Sequence, residues 1–362
     1  MRSLLFLVQL ALLSFAAAVP AGTPASETTT TRTVTAPEPL ASTCANAHKF
    51  TYFGVNESGA EFGNQNIPGT KGTDYIWPAP SSIDYFVSQG MNFFRVPFQL
   101  ERLTPPSTGI TGAFNSAYFA DLQTTVNYIT GKGAYVAIEP HNFIRYNGAV
   151  MTDTNAFQTF WKNLASKFVG NSRVIFDLMN EPYDVSATAA AAMPGIDMWL
   201  QMQAGINGVR AAGASQLILV EGTSWTGAWT WVSSGNGDAF KSVKDPNNNW
   251  AIEMHQYLDS DGSGTSPTCV SATIGQERLA AATTWLQQNN LKGFLGEMGA
   301  GSNSDCISAV FGALCSMAQT NVWIGFSWWA AGPWWGDYYQ SIEPPSGAAI
   351  SQILPQALKP FL

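Results

Sequence analysis

Eight short runs of β-forming apolar residues, with helix-like stretches between most of them, constrain this chain more than any other feature. The runs are Phe50 with Tyr52–Val55, Phe93–Val96, Tyr135–Ile138, Val174–Leu178, Leu217–Val220, Ala251–Met254, Gly293–Gly296 and Ile324–Ser327. Such nearly unbroken runs belong to strands buried on both faces, as in parallel sheets. Between them, Tyr118–Ile129 carries Phe119, Leu122, Val126 and Ile129 at helical spacing. Phe157–Phe168 carries Phe160, Trp161, Leu164 and Phe168 in the same way. Further helical patterns run through Ile196–Val209, Ile274–Leu286 and Ile307–Met317, and Gly131 and Gly170 stand where helix stops are expected. Strand and helix alternating about eight times predict an α/β fold, a (β/α)8 TIM barrel. An open doubly wound sheet is the competing topology, but no GxGxxG follows the first strand.

The N-terminus reads as a secretory leader over residues 1–18: Arg2, the apolar run Leu4–Leu13 and the small-residue site Ala16–Ala18. That run is short of the roughly 18 residues a membrane span needs, so secretion is favoured over anchoring. Residues 19–43 are rich in Thr and Pro and nearly devoid of large apolar side chains, which predicts a disordered, O-glycosylated segment. Residues 44–362 show no second linker and fit a single catalytic barrel domain. The four Cys suit an oxidising compartment, and a net charge of -8 argues against nucleic acid or another polyanion as partner. The chain is therefore expected to meet an uncharged substrate, off the membrane and as a monomer.

In TIM barrels the chemistry sits at the C-terminal ends of the strands. Those ends read Arg95, then Glu139-Pro140-His141-Asn142, Asn180-Glu181-Pro182, Glu253-Met254-His255-Gln256-Tyr257, Gly296-Glu297 and Trp328-Trp329. Glu181 and Glu297 each follow an apolar strand without a spacer. Two such carboxyls on one rim match glycoside hydrolysis, in which one acid protonates the leaving oxygen and one carboxylate attacks or activates water. Arg95, inside an apolar run, should be buried and needs a carboxylate partner. His141 and His255 could each be ordinary core histidines, but both at rim positions favour a site. Strand alternation can aim Glu139 and Glu253 either at the barrel or at the helices, and both are assigned structural roles. The sequence holds no HExxH or paired CxxC spacing, no GxSxG elbow and no P-loop, so no metal or cofactor is expected.

The segment Val174-Ile175-Phe176-Asp177-Leu178-Met179-Asn180-Glu181-Pro182-Tyr183 resembles the signature of glycoside hydrolase family 5. Phe94-Arg95-Val96-Pro97, Pro140-His141-Asn142, His255-Gln256-Tyr257 and Leu295-Gly296-Glu297 follow in the same order and sharpen the resemblance. From Phe50 to about Pro344 the chain is similar to the family's fungal endo-β-1,4-glucanases, as Asn56–Gly63, Leu258–Thr265 and Ala331–Tyr338 illustrate. The resemblance implies a retaining cellulase with Glu181 as acid/base and Glu297 as nucleophile. It further implies that Arg95 and Tyr257 keep Glu297 ionised and oriented, that Asn180 bonds the sugar 2-hydroxyl, and that His255 lies near Glu181. His141 would lie near the sugar, and Trp329 would stack under it, with a cis peptide at Trp329–Ala330.

Trp225, Trp229 and Trp231 after the fifth strand, and Trp334 and Trp335 after the eighth, could form sugar platforms or pack between loops and helices. About half of the five are expected at sugar. Cys269 and Cys306 fall in neighbouring rim loops and are expected to pair, as the resemblance also implies. Cys44 is then left for Cys315, although sequence alone permits three connectivities. Mannan- or xyloglucan-directed hydrolysis is the alternative on the same scaffold. A non-catalytic sugar-binding barrel would lack one of the two carboxyls, and a cell-wall structural protein would not explain the convergent rim.

Overall fold

The computed structural model describes residues 44–187 and 197–362. The expected leader, the Thr/Pro-rich segment and Ile196, where one helix was expected to begin, lie outside the described residues.

Eight strands close into a barrel: β1 Tyr52–Glu57, β2 Phe93–Phe98, β3 Tyr135–Pro140, β4 Val174–Asp177, β5 Ile218–Glu221, β6 Trp250–His255, β7 Gly293–Met298 and β8 Trp323–Ala331. Each pairs in parallel with its sequence neighbours, and β8 returns to β1, so the expected (β/α)8 fold is found. The longer helices outside are α1 Pro80–Ser88, α2 Ser116–Gly131, α3 Thr154–Ala165, α4 Met198–Ala211, α5 Ile274–Gln288 and α6 Ser304–Ala318. Local chemistry starts several of them. Asn115, Asp153 and Asn303 accept backbone N–H groups at the N-termini of α2, α3 and α6, and α1 opens on Pro80. Among the described residues no helix is long and apolar enough to cross a membrane.

The barrel interior is layered. Phe93, Ala137, Ile175, Leu219, Ala251 and Phe294 form an apolar layer inside. Two residues further along five of these strands stand Arg95, Glu139, Asp177, Glu221 and Glu253, all wholly buried. Strand side chains alternate between faces, so a residue two positions beyond an inward one also points inward. The intervening Phe94, Val96, Val136, Ile138 and Phe176 belong instead to the core beneath the helices. On β7 the corresponding position is Gly296, where a Cβ would collide with Oε1 of Glu253. The missing side chain makes room for the carboxyl of the neighbouring strand.

Several element ends differ from expectation by a few residues, and one helix was not expected. Strand β2 continues past Arg95 to Phe98, which sets Arg95 within the barrel rather than at its rim. Helix α1 was not foreseen because nine residues offer little periodicity to read. Disulfides join Cys269 to Cys306 and Cys44 to Cys315.

Candidate active site

Arg95 organises the polar layer. Its Nη1 donates to Glu297 Oε1 at 2.8 Å and to Asn56 Oδ1 at 3.1 Å, and its Nη2 donates to Asn180 Oδ1 at 3.0 Å and to Glu221 Oε1 at 3.1 Å. Nε donates to Asp177 Oδ2 at 2.7 Å, while Glu253 Oε1 lies 3.0 Å away and Glu139 Oε1 lies 3.6 Å from Nη2. One guanidinium thus faces five buried carboxyls, and it cannot neutralise them all. Isolated buried charge is costly, so burial raises a carboxyl's affinity for protons. Burial pushes Glu139, Glu221 and Glu253 well above the usual carboxylate range, against the pull of Arg95.

Glu181 and Glu297 rise from this layer into the cleft. Glu181 takes a left-handed backbone with φ 42°, and its N–H donates to Glu221 Oε2 at 2.7 Å. Its Oε1 lies 2.8 Å from Nδ1 of His255. Burial and the adjacent Glu297 push the Glu181 carboxyl well above its ordinary value. Glu297 is raised less, because Arg95, His141 and the Tyr257 hydroxyl offset its burial. That hydroxyl donates to Glu297 Oε2 at 2.7 Å. Arg95 and Tyr257 therefore hold Glu297 as expected in geometry, but burial leaves its affinity for protons above the ordinary value rather than below it. Both carboxyls are raised by burial, and Arg95, His141 and Tyr257 counter the rise at Glu297 while the neighbouring Glu297 adds to it at Glu181.

His141 and His255 are both driven toward the neutral form by burial. His141 Nδ1 lies 2.8 Å from Glu139 Oε1, and its Nε2 lies 3.3 Å from the Asn180 amide nitrogen. With Asn180 Oδ1 taken by Arg95, the amide is oriented and one of its N–H groups remains for a ligand. Asn56 opens an Asn-Glu-Ser triplet, yet it is wholly buried and donates to the carbonyls of Gly296 and Trp328.

Above these groups lies a cleft of about 900 Å³. Trp329, joined to Ala330 by a cis peptide, stacks against His141 at 5.5 Å, whereas Trp328 is buried and donates to the Gln340 carbonyl. Trp335 stacks on Tyr338 at 4.6 Å, and with Trp334 it lines an adjoining recess of about 500 Å³. Also lining the cleft is the turn in which Ser224, Trp225 and Thr226 are all left-handed, a sharp turn that presents Trp225. Trp225 is 52% exposed and stacks on Tyr183 at 5.3 Å. Trp229, 49% exposed, lies over the Arg278 guanidinium at 4.4 Å. Trp231 corrects the expectation. It is wholly buried against Phe240 and Trp285, because the turn at 228–231 carries it toward α5, where it covers a large apolar area. The other four expected platforms line the cleft or its recess.

Sequence reasoning missed Glu221 and Asp177, and it gave Glu139 and Glu253 structural roles, whereas both stand wholly buried around Arg95 beneath the site. Glu221 had the same signal as Glu181, a carboxyl directly after an apolar strand. Two sets, Glu181 with His255 and Glu297 and Glu221 with Glu253 and His255, bring possible metal-donor atoms within 4.8 Å of one another. Both share His255 and surround Arg95, which already supplies the positive charge, so neither is assigned to a metal.

Comparison with known proteins places this site in context. The family model for cellulase (glycosyl hydrolase family 5) matches residues 55–332. Endo-β-1,4-glucanase B of Aspergillus niger is 55% identical over 310 residues, covering 85% of this chain and 89% of that protein. Among solved structures, XacCel5A in complex with cellopentaose superposes with a TM-score of 0.81 at 38% identity, covering 87% of this chain and 100% of the other. Cel5A (EG2) from Hypocrea jecorina gives 0.74 at 27% identity, covering 86% and 99%.

Proposed function

The chain belongs to glycosyl hydrolase family 5, the cellulases, and from that premise we propose that it cuts internal β-1,4-glucosidic bonds of cellulose and related β-glucans by retaining double displacement. The observation that carries the reading is the approach of two carboxyls: Glu181 and Glu297 each offer an oxygen within 4.8 Å of the other. This fits the separation of about 5–5.5 Å needed for a covalent intermediate better than the roughly 6.5–9.5 Å that admits a water between the groups.

Glu297 attacks the anomeric carbon while Glu181 gives its proton to the departing oxygen. Glu181, then ionised, takes a proton from the water that releases the sugar. Asn180 offers its remaining amide N–H to the 2-hydroxyl, and Trp329 supports the sugar being attacked. The open cleft walled by Trp225, Trp229, Trp334 and Trp335 suits a long chain entering sideways, hence internal cleavage. The names of the relatives and the cellopentaose bound by XacCel5A favour glucan over mannan or xyloglucan. The apolar leader and two disulfides support secretion ahead of a catalytic domain at 44–362.

Azide rescue tests the roles. On a substrate with a good leaving group, Glu297→Ala with azide should give the α-glycosyl azide, and Glu181→Ala should give the β-product. Interchanged products would reverse the assignment, and release of the inverted anomer by the unmodified enzyme would refute retention.

A further inference from the structure

His255 joins the cleft to the buried layer beneath it, and its two nitrogens face different company. Nδ1 lies 2.8 Å from Glu181 Oε1 and 3.5 Å from Glu297 Oε2. Nε2 points the other way, 3.7 Å from Glu253 Oε1 and 3.9 Å from Glu221 Oε1, and has no hydrogen-bond partner among the described residues. Neither oxygen of Glu253 has a donor either, nor has Asp177 Oδ1. Arg95 Nε lies 3.0 Å from Glu253 Oε1, but its single N–H is directed to Asp177, so Glu253 has an ion pair there without a hydrogen bond. Written as carboxylates, these groups set bare acceptors against one another and against a bare imidazole nitrogen in a dry interior, an arrangement that costs heavily per group.

A proton on Glu253 resolves it. We propose that protonated Glu253 is a positioning residue that donates to Nε2 of His255 and so fixes the Nδ1–H tautomer against Glu181. The inference rests on the reading of Glu181 as the acid/base. With Nδ1–H donating to Oε1, the catalytic proton of Glu181 is confined to Oε2, the oxygen free to face the leaving group. After proton delivery the same N–H stabilises the Glu181 carboxylate, so His255 serves both steps without changing tautomer. In the opposite tautomer a bare Nδ1 would compete with the substrate for the Glu181 proton. The remaining groups around His255 agree. Glu297, nearest after Glu181, is the nucleophile in this reading and, once ionised, repels a bare Nδ1. Arg95 opposes an imidazolium. Glu221 is engaged at both oxygens, by Arg95 and by the N–H of Glu181. Glu139 faces Arg95, and the Tyr257 hydroxyl serves Glu297, while Asp177, whose Oδ2 accepts from Arg95, also lies against Glu253 and is the competing acceptor for its proton. Glu253 is thus the proton source left for Nε2.

The test compares Glu253→Gln, whose amide can still donate, with Glu253→Met, which cannot. Ring-nitrogen NMR of the full-length enzyme reads the tautomer directly, because only three His are present. The unmodified enzyme and Glu253→Gln should show His255 protonated at Nδ1 alone through the active pH range. Glu253→Met should lose that signature, and its kcat on mixed-linkage β-glucan should fall at least tenfold, with Glu253→Gln restoring most of it. On aryl cellobiosides whose leaving groups need no proton, the loss should be small, since general acid catalysis worth about 10²–10⁴ is the step affected. His255 protonated at Nε2 in the unmodified enzyme, or Glu253→Gln as damaged as Glu253→Met, would overturn the proposal. If Glu181→Gln itself retained activity on β-glucan, the underlying assignment of Glu181 would fail instead.

Discussion

The N–H of Glu181 donates to Oε2 of Glu221 at 2.7 Å, and that one bond ties the candidate acid to a carboxyl buried on the next strand. Glu181 is a non-glycine residue in the left-handed region, a conformation that costs about 1–3 kcal/mol and persists only where its surroundings impose it. Glu221 also accepts from Arg95, so it couples the acid to the guanidinium that holds Glu297.

Glu221→Ala should therefore act in two ways. It orphans the Glu181 N–H, costing about 1–3 kcal/mol of stability, and it frees the backbone that aims the carboxyl. We expect kcat on β-glucan to fall more than KM rises, with a lowered urea midpoint. Unchanged kcat alongside lost stability would show that Glu221 supports the fold alone.

Arg95→Met removes the cation shared by Asp177, Glu139, Glu221, Glu253 and Glu297. Breaking a buried pair costs about 3–5 kcal/mol. Here the loss should depend on pH, because the stranded carboxyls can take up protons. Without Arg95 their folded-state affinity for protons rises further, so the variant should lose more stability at pH 7 than at pH 4.5. Equal losses at both would mean that Arg95 acts mainly through packing.

Much of this architecture was legible, and the parts that were not have physical reasons. The strands announced themselves because a barrel strand is apolar on both faces. Glu181 and Glu297 stood out because each closely follows an apolar strand run with few other charges nearby. The inward aim of Glu139 and Glu253 was recoverable by counting two residues on from Ala137 and Ala251, but only once Phe93, Ala137 and Ala251 were known to share a layer. That layer is a product of closure, which local sequence does not display. Trp231 was misread for a related reason: Trp229 and Trp231 look alike in sequence, and the turn between them decides which one meets solvent.

That contrast is testable. Trp231→Ala should cost about 3–5 kcal/mol as a cavity in the core, with little change in KM once the enzyme is folded. Trp225→Ala should leave the thermal midpoint nearly unchanged and weaken binding of long oligosaccharides by about 0.5–1.5 kcal/mol. Because Trp225 lines the cleft, the change should appear as a shifted cleavage pattern in product sizing. Matching stability losses in the two variants would contradict the burial difference.

The buried carboxyls also set how stability varies with pH. Burial and Glu343 push Glu57 well above its ordinary value of 4.5. Its geometry agrees: the Ser82 hydroxyl lies 2.9 Å from both Glu57 Oε1 and Glu343 Oε2, and one O–H donates to only one of them, so a carboxyl proton must complete the cluster. A carboxyl with a raised folded-state pKa gives stability that is fully present below 4.5 and is lost as pH rises through the folded value. Glu139, Glu221 and Glu253 share this sign. His141 and His255 are lowered from 6.5, so they oppose it: their contribution is present above 6.5 and is lost as pH falls. Stability should therefore decline above pH 4.5 and decline more steeply above 6.5, where the histidines no longer offset the carboxyls. Each carboxyl contributes at most about 1.4 kcal/mol per pH unit. Glu57→Gln, remote from the cleft chemistry, keeps a neutral hydrogen-bonding group at that position and should flatten the decline by up to that amount while leaving the pH profile of kcat in place. Urea unfolding at half-unit intervals from pH 4.5 to 8 measures both slopes, and stability that rises across this range would overturn the sign.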